Sequence, residues 1–256
     1  MRMRIRCNAV SIAIVLSSVN MFGQQASKTP KPPTRIKVVL VGDSTVALQG
    51  GWGPGFCAHL IASAECLDLA VNGRSTKSYL DEGLWAKALE ARGQFYFIQF
   101  GHNDQKERPA VHTDPETTFK ANLQRFVRDV RDIGGVPILV TSLSRRNYSD
   151  GVLIIDPLRE YAAATREVAA EDHVPVVDLY ALSRALLEPM TQQQADRYDA
   201  TTHPDAGIEG ATATQPDRTH LNELGKQTFG DMVAHAAWQN VLALSPYITF
   251  ASSVRE

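Results

Sequence analysis

Val38-Val39-Leu40-Val41-Gly42-Asp43-Ser44-Thr45 runs an apolar strand straight into a turn. The four aliphatic residues show no polar alternation, which is the pattern of a strand covered on both faces in a parallel sheet. Gly, Asp and Ser are turn formers, so the chain bends there and leaves a serine hydroxyl at the strand's carboxyl end. Open α/β sheets carry their chemistry along that edge. Gly-Asp-Ser alone is also an ordinary turn or helix cap, so its meaning depends on the rest of the chain.

Four more short apolar runs follow: Cys66–Val71, Phe95–Phe100, Val136–Thr141 and Val174–Leu179. Helical patterns lie between them. The clearest is 115–133, where Asp114 can cap, Pro115 suits the first position and Gly134-Gly135 stops the helix. Its apolar residues Phe119, Leu123, Phe126, Val127, Val130 and Ile133 share one face. Segments 156–172 and 222–239 read as further helices. Alternating strands and helices predict a doubly wound α/β sheet in one domain over 35–256. Residues 191–219 are polar and aperiodic and read as a long loop, of the kind that is functional or mobile.

Residues 1–26 read as a signal peptide. Arg2, Arg4 and Arg6 form a positive start, Ala9–Val19 is an apolar run, and a polar stretch follows. The competing reading is an uncleaved membrane anchor. Residues 27–34, rich in Pro, read as an extended linker. A secreted or periplasmic protein is expected, free of the membrane once the leader is cut. The chain has 44% apolar and 21% charged residues, ordinary for a soluble protein. Without its first 26 residues, the formal charge moves from −2 to −5, which argues against a nucleic-acid partner. Cys57 and Cys66 remain in the mature chain, and a bridge and two buried thiols are equally compatible with the sequence. No Cys/His spacing suits zinc, and no metal or organic cofactor is expected.

Three turns follow the first three strands and therefore converge: Gly42-Asp43-Ser44-Thr45, Asn72-Gly73-Arg74-Ser75 and Gly101-His102-Asn103-Asp104. A fourth, Asp217-Arg218-Thr219-His220, precedes the last helix. Acyl transfer needs a hydroxyl, a base, a group that orients the base and donors for the oxyanion. Ser44, His220 and Asp217 supply the first three. The backbone N–H groups of Ser44 and Gly73 and the side-chain amide of Asn103 are candidate oxyanion donors. Each residue also has a plain structural reading as a turn former, cap or packing residue. Asp43 is expected to shape the turn. His102, the rival base, is expected to shape the loop that presents Asn103.

All four blocks, in order, resemble the SGNH (GDSL-type) hydrolase superfamily. Gly-Asp-Ser-Thr, Asn-Gly-Arg-Ser and Phe-Gly-His-Asn-Asp-Gln look most like the rhamnogalacturonan acetylesterases and related carbohydrate acetylesterases. Leu221 departs from the aromatic residue that often follows the histidine. The resemblance implies a three-layer α/β/α sandwich with a five-stranded, mostly parallel, flavodoxin-like sheet. It implies a secreted serine esterase that removes O-acetyl groups from pectin-type polysaccharide or oligosaccharide. Ser44, Asp217 and His220 would be catalytic, and Ser44, Gly73 and Asn103 would form the oxyanion hole. Acetylxylan, a lipid ester or a thioester are rival substrates, and a non-catalytic carbohydrate-binding domain is a further alternative. Arg74, His102, Trp52, Tyr79, Arg145 and Arg146 are candidate substrate contacts. The Arg145–Arg146 pair also reads as solvated surface. A monomer is expected.

Overall fold

The structure, a computed structural model, describes residues 35–202 and 215–250. The expected signal peptide and linker lie outside the described residues. In chain order, β1 (Ile36–Gly42) leads through α1 (Gly53–Cys57) to β2 (Ala64–Asp68). α2 (Thr76–Asp81) and α3 (Leu84–Glu90) return to β3 (Phe95–Gln99). A π-turn (Pro115–Phe119) and α4 (Lys120–Asp132) return to β4 (Val136–Val140). A small hairpin, β5 (Tyr148–Ser149) and β6 (Val152–Leu153), precedes α5 (Leu158–Glu171), β7 (Val176–Val177), α6 (Leu179–Leu187) and α7 (Gln192–Ala195). An antiparallel ribbon, β8 (Asp199–Thr202) and β9 (Gln215–Leu221), leads into α8 (Glu223–Asn240).

The main sheet has the order β2-β1-β3-β4-β7 with every pairing parallel. Successive residues of a strand face opposite sides, and β1 divides accordingly. Val38 and Leu40 join Phe97, Ile138, Phe56 and Phe229 on one face. Val39 and Val41 join Tyr96, Ile98, Phe126 and Val127 on the other. This double burial explains why the strands carry no polar alternation. It also makes the three-layer sandwich expected from the sequence. The order reverses direction between β1 and β3, so their carboxyl ends frame the crevice where such folds bind ligands.

The predicted boundaries shift in places. β2 is centred earlier than Cys66–Val71, because Asp68 takes the Ala70 N–H at 2.9 Å and ends the regular strand. The last sheet strand contracts to Val176–Val177. The helix predicted over 115–133 opens with the π-turn. Asp114 caps it, accepting from Glu116 N at 3.0 Å and Thr117 N at 2.9 Å. Segment 191–202 and residues 215–219 are not irregular: they hold α7, a 3-10 turn (Asp196–Tyr198), β8 and most of β9. A short ribbon held by backbone hydrogen bonds needs no apolar periodicity, so the sequence pattern missed it. Residues 203–214 of that segment lie outside the described residues.

Cys57 and Cys66 form a disulfide, with Cα atoms 5.8 Å apart, that ties the end of α1 to β2. Closing so short a loop contributes about 2–3 kcal/mol in the chain-entropy account.

α1 crosses α8 at close range, and glycines make the crossing possible. A methyl group on Gly230 would lie 2.5 Å from Gly55 Cα, closer than carbon atoms approach. The Gly230→Ala variant should therefore lose about 1–3 kcal/mol of stability through overpacking. Urea denaturation should show a lower midpoint with an unchanged slope.

Candidate active site

The turn after β1 is built from below. Gly42 pairs in register with Gln99 of β3, which brings the Gln99 side chain under the turn. Trp52 Nε1 donates to Gln99 Oε1 at 2.8 Å, and Gln99 Nε2 donates to Thr45 Oγ1 at 2.6 Å. Thr45 then donates from N (2.8 Å) and Oγ1 (2.7 Å) to Asp43 Oδ1. All four side chains are buried. This chain of hydrogen bonds fixes the turn and leaves the Ser44 side chain partly exposed at the sheet edge. Asp43 thus shapes the turn. Burial pushes its carboxyl group above the usual carboxylate range, against the hydrogen bonds from Thr45.

The base reaches Ser44 from β9. Ser44 Oγ–H donates to His220 Nε2 at 2.7 Å, and His220 Nδ1–H donates to Asp217 Oδ2 at 2.6 Å. The tautomer follows from these partners, since the carboxylate can only accept from Nδ1. Asp217 Oδ1 also accepts from Thr219 N at 3.0 Å and His220 N at 3.2 Å. Burial alone would raise the Asp217 pKa. The hydrogen bond and charge of His220, with the two backbone donors, outweigh it and bring the pKa to about 2. Asp217 is therefore an ionised partner for the imidazole throughout the neutral range.

The oxyanion candidates stand on the turns that follow β1, β2 and β3. Gly73 has φ +78°, a left-handed conformation that favours glycine. Among the described residues, neither Ser44 N–H nor Gly73 N–H donates to a protein acceptor. Asn103 is buried, and its Nδ2 donates one hydrogen to Arg74 O at 3.0 Å. Its loop is anchored by Asp104, which is fully buried. Asp104 Oδ1 accepts from Thr76 N (3.0 Å), Thr76 Oγ1 (2.6 Å) and Thr113 Oγ1 (2.8 Å), and its Oδ2 accepts from Gly101 N (3.0 Å). Burial raises its pKa to about 6 despite these donors.

The other candidate contacts are distributed differently. His102 is buried, with Nδ1 3.5 Å from Thr45 Oγ1 and 3.9 Å from Asp43 Oδ2. Burial, then nearby Arg145 and His220, hold its pKa well below the usual histidine range, so it stays neutral. It supports the turn from inside. Trp52 and Tyr79 are corrections: both are buried and line no cleft. The Trp52 indole serves Gln99, and the Tyr79 hydroxyl donates to Leu69 O at 2.7 Å. Large aromatic residues beside a site motif are easily read as sugar platforms, but the core claimed these two. The Arg74 guanidinium turns to Glu82 (2.9 Å) and Asn72 O (2.9 Å), while its carbonyl meets Asn103. Arg145 pairs with Asp156 at 3.4 Å. A cavity of about 590 Å³ between α1 and α8, lined by Pro54, His59, Asp231 and Phe250 among others, includes neither Ser44 nor His220.

Arg146 is the largest correction. It is fully buried rather than solvated, and burial holds its pKa down against the pull of Asp199. Its Nε donates to Asp199, which is also buried, and its Nη2 donates to His220 O at 2.8 Å. Arg146 N donates to Arg218 O at 3.2 Å, and the guanidinium sits 6.0 Å from the Phe229 ring centre. One arginine in the loop after β4 thus fastens the β8–β9 ribbon to the body of the domain. No local signal marks it, because Asp199 lies 53 residues away in sequence.

Two outcomes follow from this electrostatic arrangement. Arg146→Met leaves a buried, unpaired carboxylate and should cost about 3–5 kcal/mol, with most of the loss recovered in the double variant with Asp199→Leu. Denaturant titration of both variants measures it. Asp217 has a lower pKa folded than unfolded (about 3.9), so its contribution is present above about pH 4 and lost as pH falls through about 2. Asp217→Asn should flatten stability across that window by about 1–2 kcal/mol after allowance for solvent screening, read from melts at stepped pH.

Comparison with known proteins gives the family. The GDSL-like Lipase/Acylhydrolase family matches residues 40–228. Rhamnogalacturonan acetylesterase RhgT of Bacillus subtilis (strain 168) is 33% identical over 228 residues, covering 83% of this chain and 94% of the relative. The probable rhamnogalacturonan acetylesterase YesY of the same organism is 31% identical over 206 residues, covering 77% and 90%. In structure, Axe2, an acetylxylan esterase from Geobacillus stearothermophilus, is similar with a TM-score of 0.57 at 16% identity, covering 80% of this chain and 93% of that one. That likeness concerns the fold. With the family matched from β1 to α8 and two relatives above 30% identity covered almost end to end, the chain belongs to the GDSL-like lipase/acylhydrolase family.

Proposed function

We propose that this chain is an exported serine esterase that removes O-acetyl groups from plant cell-wall polysaccharide of the rhamnogalacturonan type, by way of an acyl-enzyme. The chain is a carboxylic ester hydrolase, and two relatives above 30% identity carry the name rhamnogalacturonan acetylesterase. The observation that carries the mechanism is the continuous relay Asp217–His220–Ser44, at 2.6 and 2.7 Å.

In this reading, Ser44 Oγ attacks the acetyl carbonyl while His220 Nε2 takes its proton. Asp217 holds the ring and stabilises the imidazolium. Ser44 N–H, Gly73 N–H and the second hydrogen of Asn103 Nδ2 receive the oxyanion. His220 then gives the proton to the departing sugar hydroxyl. Water attacks the acetyl-enzyme by the same path and releases acetate. Export is supported by the leader-like residues 1–26 and by the Cys57–Cys66 disulfide, which suits an oxidising compartment. The intact relay favours turnover over mere carbohydrate binding.

Ser44→Ala should lower acetate release from acetylated rhamnogalacturonan by roughly 10⁴-fold or more, and Asp217→Asn by roughly 10³–10⁴. A panel of acetylated rhamnogalacturonan, acetylated xylan and a long-chain ester should rank the first highest. Full activity in Ser44→Ala would remove the nucleophile assignment, and preference for xylan would remove the substrate.

A further inference from the structure

The amide of Asn103 is held at both ends. Nδ2 donates to Arg74 O at 3.0 Å, and Lys106 Nζ donates to Oδ1 at 2.6 Å. Lys106 is delivered by a tight turn in which its own N–H donates to Asn103 O at 3.1 Å. Among the described residues its ammonium meets no carboxylate within ion-pair distance. The polar partner it does have is a neutral amide oxygen inside the candidate oxyanion hole. Neither the relay nor the fold requires a lysine there, since the residue itself is exposed.

We propose that Lys106 is a positioning residue of the oxyanion hole: its ammonium locks the Asn103 amide and polarises it, so that the free Nδ2–H becomes a stronger donor to the oxyanion. This rests on the reading of Ser44 as nucleophile and Asn103 as donor. The physics is that of a charge-assisted hydrogen bond. A cation on the amide oxygen draws electron density from nitrogen, and hydrogen bonds in series strengthen one another in a low-dielectric setting. With Oδ1 and one Nδ2 hydrogen engaged, the amide cannot flip, and the remaining hydrogen is fixed before the charge develops.

The charges around Lys106 come from several elements. Arg108 stands on its own loop, Arg145 in the loop after β4, and the buried Asp43 at the end of β1. His102, buried and neutral, is also close enough to feel the Lys106 charge. Burial and the two arginines bring the Lys106 pKa below the usual lysine range, with Asp43 opposing. The protonated form is the one that polarises Asn103. Turnover should therefore fall as rising pH removes that proton.

The test uses the full-length enzyme and 4-nitrophenyl acetate, a small neutral ester with no carboxylate for a cation to bind. Lys106→Met should lower kcat on the order of tenfold with KM unchanged, a smaller loss than that of a direct oxyanion donor. Its alkaline limb should disappear, while Lys106→Arg should keep most of kcat and move that limb upward. In an Asn103→Ala background, Lys106→Met should have little further effect, since the two act as a unit. Thermal melts should coincide for the Lys106 variants. An unchanged kcat, a change confined to KM, or a loss that persists in full without Asn103 would each overturn the proposal. Activity surviving in Ser44→Ala would instead overturn the reading on which it rests.

Discussion

A buried ion pair holds this site together. Ser44 and His220 lie 176 residues apart, one on the turn after β1 and the other on a ribbon outside the main sheet. A two-stranded ribbon of this length has little stability of its own. Arg146 and Asp199 pin it to the loop after β4, and Arg146 also grips the His220 carbonyl. From the other side, Leu221 N donates to Gly50 O at 2.9 Å. The imidazole thus hangs from backbone fixed at both edges. Taking two charges from water costs several kcal/mol before any attraction is counted, so the pair fits a role in placing the ribbon better than one in adding net stability.

The three carboxylates near Ser44 show how environment assigns work. Asp43 is one residue from the serine, yet its Oδ1 is taken by Thr45, and burial raises its pKa. Asp104 is spent on tying the Asn103 loop to the start of α2. Asp217 is nearest to the imidazole and has the lowered pKa of an ionised partner. The same divergence separates the histidines: His102 is sealed and neutral, while His220 is partly exposed and faces the hydroxyl. Sequence proximity alone would have favoured Asp43 and His102, and solvation decides against both.

Legibility varied with the range of the interactions. The strand cores, the capped helix at 115–133 and the four loop blocks were readable because each is defined by neighbours in sequence. β2 was displaced because Asp68 bends the chain inside an apolar run. The ribbon β8–β9 was read as a loop because its pairing lies in the backbone. Trp52, Tyr79 and Arg146 were placed on the surface or in the cleft because their partners, Gln99, the Leu69 carbonyl and Asp199, belong to other elements.

By itself, the sequence determined the layered parallel sheet and the turn motifs at its carboxyl edge, since apolar runs and turn motifs are local and survive in one dimension. The tertiary structure decided which side chains stay partly exposed at the sheet edge and which support the turn from inside. It decided that two cysteines with open alternatives are joined. It also decided that an arginine pair splits, one half-buried against Asp156 and one sealed against Asp199 of the β8–β9 ribbon. Those outcomes depend on burial and on hydrogen-bond partners tens of residues away. A desolvated charge must find its partner wherever the fold places one.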